Sequence, residues 1–110
     1  MGLGDLMGLM RDFGSLRQKL AEIQGDLERE RIEGEAGGGM VRVTVNGRQE
    51  LLDLTIDPQI VSRDDLPLLQ DMVKGAVGQA LAKARDKQRE AMAKLLGGVP
   101  LPPGLLEMLG

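Results

Sequence analysis

An unbroken heptad pattern of apolar residues near the start of the chain constrains its fold most strongly. From Leu6 to Leu27, apolar residues recur at alternating intervals of three and four positions. On an α-helix this spacing forms one narrow stripe, which suits a single partner helix better than a broad core. The pattern therefore predicts a long helix over residues 6–30. The apolar stripe, called the seam below, consists of Leu6, Leu9, Phe13, Leu16, Leu20, Ile23 and Leu27.

The middle of the chain changes to a period of two, which is typical of β-strands with one buried face. Between two alternating segments lies Asn46-Gly47, a strong signal for a hairpin with a two-residue type I′ turn. Such a turn pairs Val45 with Arg48 and Val41 with Leu52. It also brings all the inward apolar residues of the two strands onto one face, namely Val41, Val43, Val45, Leu52, Leu54 and Ile56.

A shorter edge strand is expected to precede this hairpin through the glycine-rich loop at positions 36–39. The three predicted strands are residues 31–35, 40–46 and 49–56. A small sheet with one apolar face is not stable alone in water, so a helix or a second copy of the chain must cover that face.

A second long helix is predicted over residues 64–96. Ser62 to Asp65 supply capping candidates, and Pro67 is tolerated because it falls in the first turn. The apolar side of this helix is rich in alanine, with Gly75 and Gly78 beside it, which suits close approach of another element. The Pro-rich segment 97–110 follows. Residues 1–110 are therefore expected to form a single α+β domain with the order α-β-β-β-α.

The formal net charge of −3 conceals an uneven distribution. Residues 1–73 are acidic overall, whereas residues 74–94 carry six basic side chains against Asp86 and Glu90. Cations near a helix C-terminus also complement the helix dipole and keep the surface soluble, and composition alone favours that interpretation. The alternative is a surface that contacts phosphate groups, because screening limits the reach of the distant acids.

The composition argues against catalysis and against a resident metal. The chain contains no His and no Cys, so it lacks the commonest general base, the commonest metal ligand and a thiol nucleophile. Asp57, Asp64 and Asp65 are better explained by a strand end and helix capping than by an acid/base pair. We expect no enzyme activity, no metal, no cofactor and no small-molecule substrate. No stretch approaches about 18 apolar residues, so no membrane partner is expected either.

The order of elements and three local motifs resemble the YbaB/EbfC family of bacterial nucleoid-associated proteins. The resemblance covers nearly the whole chain. It is carried by the strand segment 34–47, by the spacing from Asn46-Gly47 to Ile56-Asp57-Pro58, and by Leu101-Pro102-Pro103-Gly104 near the end. Members of this family form tweezer-shaped homodimers, and DNA binding has been assigned to their helical arms.

The resemblance implies a cytoplasmic, nucleoid-located homodimer that binds double-stranded DNA through backbone contacts. An alternative is a dimeric protein-interaction module whose helical arms clasp a protein partner. No catalytic residue or base-reading motif can be transferred, so the candidate sites rest on charge and position. The candidate DNA-binding residues are Arg11, Arg17, Lys19, Lys74, Lys83, Arg85, Lys87, Arg89 and Lys94. The candidate dimer-interface residues are Leu9, Phe13, Leu16, Leu20, Ile23, Val41, Val43 and Val45.

Overall fold

The chain folds as two long helices that flank a three-stranded sheet. The structure is a computed structural model, and it describes residues 2–97. The α-β-β-β-α order predicted from the sequence is confirmed, with small shifts in the boundaries of each element. The predicted Pro-rich tail lies outside the described residues from position 98 onward. The elements are α1 (Leu3–Arg29), β1 (Ile32–Ala36), β2 (Val41–Val45), β3 (Leu51–Ile56), a short 3-10 turn (Pro58–Ile60) and α2 (Leu66–Leu95).

The three strands form an antiparallel sheet in the order β1-β2-β3. The predicted register of the second hairpin is wrong, because Val45 pairs with Leu51 and Val41 pairs with Ile56. The connection is therefore a five-residue loop, residues 46–50, and the irregularity between Thr44 and Val45 leaves one residue of β3 unpaired.

The side chain of Asn46 explains why the loop is longer than the two-residue turn. Its Oδ1 accepts hydrogen bonds from the backbone N–H groups of Arg48 (2.9 Å) and Glu50 (3.0 Å), and its Nδ2 donates to Glu50 Oε1 (2.9 Å). An Asn side chain can organise a turn by binding nearby backbone groups. Positive φ is found at Gln49 (65°) rather than at Asn46 or Gly47. The local side-chain bonds thus outweigh the type I′ preference of the dipeptide.

The core lies between the sheet and the alanine side of α2, which packs across β1 and β2. Ala76, Ala80 and Ala84 are fully buried, as are the three valines of β2. The close approach depends on Gly34 in β1, because a β-carbon there would overlap the backbone carbonyl oxygen of Ala76. Gly75 and Gly78 do not have the packing role expected of them, since both are exposed and a β-carbon at either would meet nothing.

Within residues 2–97, the contacts of helix α1 with the rest of the chain are concentrated near its C-terminal end. The N–H of Gly47 donates to the carbonyl oxygen of Leu27 at 2.7 Å, and the Leu27 side chain is buried. Toward its N-terminus the helix extends away from the sheet, which makes the molecule elongated, with principal extents of 73 × 26 × 18 Å. Most of the seam is consequently exposed, with Leu9 at 50% and Phe13 at 60% of full exposure.

Candidate nucleic-acid interface

The outward side of α2 carries three exposed cations, Lys74, Arg85 and Arg89. On a helical projection they lie opposite the buried alanines, so packing against the sheet turns them toward solvent. Arg89 pairs with Asp86 one turn earlier at 3.4 Å. Within residues 2–97, Lys74 and Arg85 form no ion pair with a carboxylate. These three residues, called the outer cations below, can therefore reach a ligand without breaking a buried contact.

Small residues separate the outer cations along the same side of α2. Gly75, Gly78 and Ala82 project to this side and are exposed. A β-carbon at Gly75 or Gly78 would have no heavy atom within 4 Å, so the surface between the cations is low and open. This shape allows a phosphate backbone to approach the helix closely while longer Lys and Arg side chains reach around it.

Lys83 faces the opposite direction and binds the edge of the sheet. Its Nζ donates to the carbonyl oxygen of Glu33 at 2.9 Å, and one turn earlier Gln79 Oε1 accepts the N–H of Glu35 at 2.8 Å. These two side chains of α2 satisfy backbone groups on the outer edge of β1, which is otherwise a site for unwanted strand pairing. The sequence pattern did not reveal this role for Lys83.

Lys87 and Lys94 line a groove of about 250 Å³ between α2 and the end of α1. Three carboxylates, those of Asp26, Glu30 and Glu90, line the same groove. The positive charge of the two lysines is thus locally opposed by acids. The candidate cations of α2 therefore fall into two groups, the outer cations and three inward-facing lysines.

The candidate cations of α1 are all exposed but differ in their position relative to the seam. Arg11 projects to the side opposite the seam, whereas Arg17 and Lys19 flank it on either side. Only Arg11 is consequently directed away from any partner that packs on the seam.

The far side of the sheet is acidic and does not suit nucleic acid. Glu33, Glu35 and Asp53 are exposed there, and the strand register places Glu35 beside Arg42. The Nε of Arg42 donates to the carbonyl oxygen of Gly39 at 3.2 Å, so one N–H of this guanidinium already has an acceptor within the chain. Repulsion of phosphate by this face favours α2 and α1 as the contact surfaces.

The structure corrects part of the candidate dimer interface. Val41, Val43 and Val45 are fully buried beneath α2 within one chain, so none of them can contact a second copy. The apolar surface that lies open beside them belongs to β3, where Leu51, Leu52 and Leu54 are exposed. The sequence predicts that these leucines belong to a strand, but it does not reveal which strands α2 covers. The seam residues from Leu9 to Leu20 are available, whereas Leu27 is covered by the loop at Gly47.

The glycine-rich loop after β1 has the backbone shape of a tight turn. Gly37, Gly38 and Gly39 all have positive φ, at 62°, 67° and 92°. The loop leads into β2 rather than into a helix N-terminus, so it lacks the geometry of a phosphate-binding loop. None of the helices within residues 2–97 is long and apolar enough to cross a membrane.

Comparison with known proteins agrees with the resemblance seen in the sequence. The sequence profile of the YbaB/EbfC DNA-binding family matches residues 1–99. A nucleoid-associated protein of Dictyoglomus thermophilum is 41% identical over 96 residues, which cover 87% of this chain and 92% of the relative. A nucleoid-associated protein of Chlorobium luteolum is 40% identical over 110 residues, covering 100% of this chain and 99% of the relative.

The fold also matches a solved structure. The crystal structure of an uncharacterized protein from Helicobacter pylori superposes with a TM-score of 0.73 and covers 87% of this chain and 98% of that chain. The two sequences are 23% identical, so this likeness concerns the fold alone.

Proposed function

The chain belongs to the YbaB/EbfC DNA-binding family and is a nucleoid-associated DNA-binding protein; we propose that it binds duplex DNA as a homodimer, through phosphate contacts made by α2. The observation that supports this most directly is the outward orientation of Lys74, Arg85 and Arg89. The opposite side of α2 carries the buried alanines and packs on the sheet, so these three cations lie along the side of α2 that faces solvent.

The chemistry of the row suits backbone contact rather than base reading. Lys and Arg bind phosphate oxygens by charge-assisted hydrogen bonds, and such contacts position a protein on DNA without selecting a sequence. Stacking on bases requires surface aromatic rings, and α2 carries none, because the one aromatic residue of the sequence is Phe13 on α1. We therefore infer low sequence preference.

Two variants with equal charge change test the assignment of the DNA-contacting side. In the first, Lys74, Arg85 and Arg89 are all replaced by Gln; in the control, Lys83, Lys87 and Lys94 are replaced by Gln. We expect the first variant to lose at least about tenfold in DNA affinity in a titration with labelled duplex, because phosphate contacts dominate affinity. The control should bind within about twofold of the unchanged protein. Loss of binding in the control alone would place the contact on the inward side of α2 instead.

We propose that the homodimer forms through the exposed apolar surfaces, namely the seam on α1 and the leucines of β3. A helix is about 10 Å wide and neighbouring strands lie about 4.8 Å apart, so one helix covers roughly two strands. Helix α2 covers β1 and β2, which leaves Leu54 41% exposed on β3. Neighbouring exposed apolar side chains, such as those of the seam and of β3, are typical of a surface that binds another protein.

Sedimentation at micromolar concentration measures the oligomeric state directly. A dimer is expected, and a monomer would refute it. A monomer that captured a stoichiometric protein from nuclease-treated lysate would instead favour the alternative of a helical arm that clasps another protein.

A further inference from the structure

We propose that residues 99–103 fold back into the groove between α1 and α2 of their own chain and fasten the end of one helix to the end of the other. These residues lie outside the part of the chain that the structure describes, and the groove is the one lined by Lys87 and Lys94. The contact is on the side of α2 away from the outer cations. It lies within one chain, so it does not depend on how two copies meet.

The first argument is the apolar floor of the groove. Ile23 of α1 and Ala91 of α2 line it and are half-buried, whereas Leu27 is buried. The floor is therefore partly open to water within residues 2–97. An apolar segment that covers such a surface removes it from water, which is favourable.

The second argument is the hydrogen-bonding character of the two lysines beside this floor. Within residues 2–97, neither Lys87 nor Lys94 forms an ion pair with a carboxylate. Residues 99–103 read Val-Pro-Leu-Pro-Pro, so three of the five lack a backbone N–H. In a polyproline II conformation their carbonyl oxygens have no internal partner. Those carbonyls can accept from the two ammonium groups while Val99 and Leu101 cover the floor.

The third argument is the direction in which the chain leaves α2. The helix ends at Leu95, and Gly97 has a positive φ of 64°. The N–H of Gly97 donates to the carbonyl oxygen of Lys94 at 3.1 Å, as in a Schellman-type end, where the chain turns off the helix axis. On a helical projection Gly97 falls on the same side as Glu90, about two turns earlier. Because Glu90 lines the groove, the chain leaves α2 beside it.

The fourth argument is that the segment and the groove have similar lengths. Lys87 and Lys94 are seven residues apart on α2, which corresponds to about 10 Å along the helix. Residues 99–103 span about 12 Å in a polyproline II conformation. Five residues that turn back along α2 therefore extend over the whole groove.

A second groove is out of reach of the same segment. It has a volume of about 370 Å³ and lies near the start of α2, where Met40, Ile60 and Met72 are among the lining residues. Met72 precedes Gly97 by 25 residues, which is about 37 Å along the helix. Residues 98–103 span at most about 20 Å when fully extended. The position at which the segment begins thus selects the groove beside the end of α2.

Because the chain contains no Cys, pairs of introduced cysteines test the proposal in the full-length protein. Ala91→Cys combined with Leu101→Cys should form a disulfide within one chain under mild oxidation, since docking brings the two positions together. The matched control is Ala93→Cys with Leu101→Cys, because Ala93 is exposed on the opposite side of α2 and lies equally near Gly97. Docking raises the effective concentration of one thiol near the other, so the first pair should react at least about tenfold faster. Equal rates would overturn the inference, because an undocked segment reaches both sides of α2.

Further cysteine pairs distinguish other locations of the segment. Ala91→Cys and Leu101→Cys are placed in separate, differently sized chains and mixed. A disulfide that forms faster between these chains than within the doubly substituted chain would place the segment in the groove of another copy and overturn the inference. Faster reaction of Leu101→Cys with Leu16→Cys than with Ala91→Cys would place it on the seam, with the same consequence.

NMR chemical shifts provide a second measurement that does not depend on disulfides. Leu101→Ser should weaken the docking, because it removes an apolar side chain from the floor, and the signals of Ile23 and Ala91 should shift. The control is Leu109→Ser, which makes the same change beyond the docked residues and should leave those two signals in place. Unchanged signals of Ile23 and Ala91 in Leu101→Ser would refute the docking while leaving the proposed DNA contact and the homodimer unaffected.

Discussion

Gly34 of β1 lies directly against Ala80 of α2, so close that a β-carbon on the glycine would stand 2.7 Å from the Ala80 amide nitrogen and 3.0 Å from its β-carbon. The contact joins a strand residue without a side chain to a helix residue with the smallest one. It sets how closely α2 approaches the sheet and thereby holds the opposite side of α2 toward solvent. The outer cations owe their orientation to this contact.

Replacing Gly34 with Ala should destabilise the fold strongly. The added methyl group would overlap backbone atoms of α2, which cannot move aside as a flexible side chain can. We expect a loss of about 3 kcal/mol in the free energy of unfolding, at the upper end for overpacking. Chemical denaturation measures the change. Gly78→Ala is the matched control, because its β-carbon enters open space; an equal loss in both variants would contradict the role assigned to the close approach.

Replacing Gly14 with Ala in α1 should have the opposite effect. Gly14 is helical and its β-carbon would meet nothing within 4 Å, so the substitution adds helix propensity without steric conflict. A gain of about 1 kcal/mol is expected from the difference between Gly and Ala in a helix interior. Thermal unfolding followed by circular dichroism at fixed protein concentration provides the measurement. A lower midpoint would indicate that residue 14 lies inside an interface rather than on the outward side of the helix.

Replacing Asn46 with Ala should loosen the loop between β2 and β3. The buried side chain makes three hydrogen bonds, and two of them satisfy backbone N–H groups of the loop. Loss of these partners should cost about 1–3 kcal/mol, because three hydrogen bonds are lost and two part-buried backbone N–H groups are left without an acceptor. Amide exchange at Arg48 and Glu50 should accelerate more than exchange in β1. Unchanged protection at those two amides would show that the loop does not depend on Asn46.

The salt dependence of DNA binding should report the number of phosphates contacted. If each copy uses the three outer cations, a dimer neutralises about six phosphates, and log K should fall against log salt with a slope of about −5. Affinity should then fall about 10³-fold between about 50 and 200 mM salt. The variant with Gln at all three outer positions should have a much shallower slope. A steep slope in that variant would identify other cations as the main contacts.

Replacing Leu54 with Asp should weaken self-association if the β3 surface belongs to the dimer. Leu54 is 41% exposed and lies on a strand that α2 does not cover, so one chain should tolerate the substitution better here than at the fully buried valines of β2. In the dimer a carboxylate at this position would be buried without a partner, which is costly. Sedimentation should show a shift toward monomer, with secondary structure retained by circular dichroism. The control is Thr55→Asp on the opposite face of β3, where Thr55 pairs with Arg42. This substitution should leave the dimer intact.

Periodicity along the chain was sufficient to predict the elements and their order. The seam of α1, the alternation of Val41, Val43 and Val45, and the alanine side of α2 each depend on residues close together in sequence. Helix and strand periods are properties of the local backbone, so these patterns could be read before any contact was known. The local motifs around Asn46 and Ile56 were likewise enough to indicate the family.

The strand register, the close approach at Gly34 and the contact between Lys83 and β1 could not be predicted from the sequence, because each depends on residues far apart along the chain. Asn46 binds its own loop and so overrides the turn that its dipeptide predicts, while Lys83 is turned inward by a carbonyl on β1, fifty positions away. Lys74 and Arg85 stay outside because the alanines of the same helix are buried. Charge and composition are properties of single residues, but the direction in which a side chain points depends on what packs against its element. For that reason the helix that carries the cations, and their separation into two groups around it, could be predicted from the sequence, whereas the group that faces solvent depends on what packs against the helix.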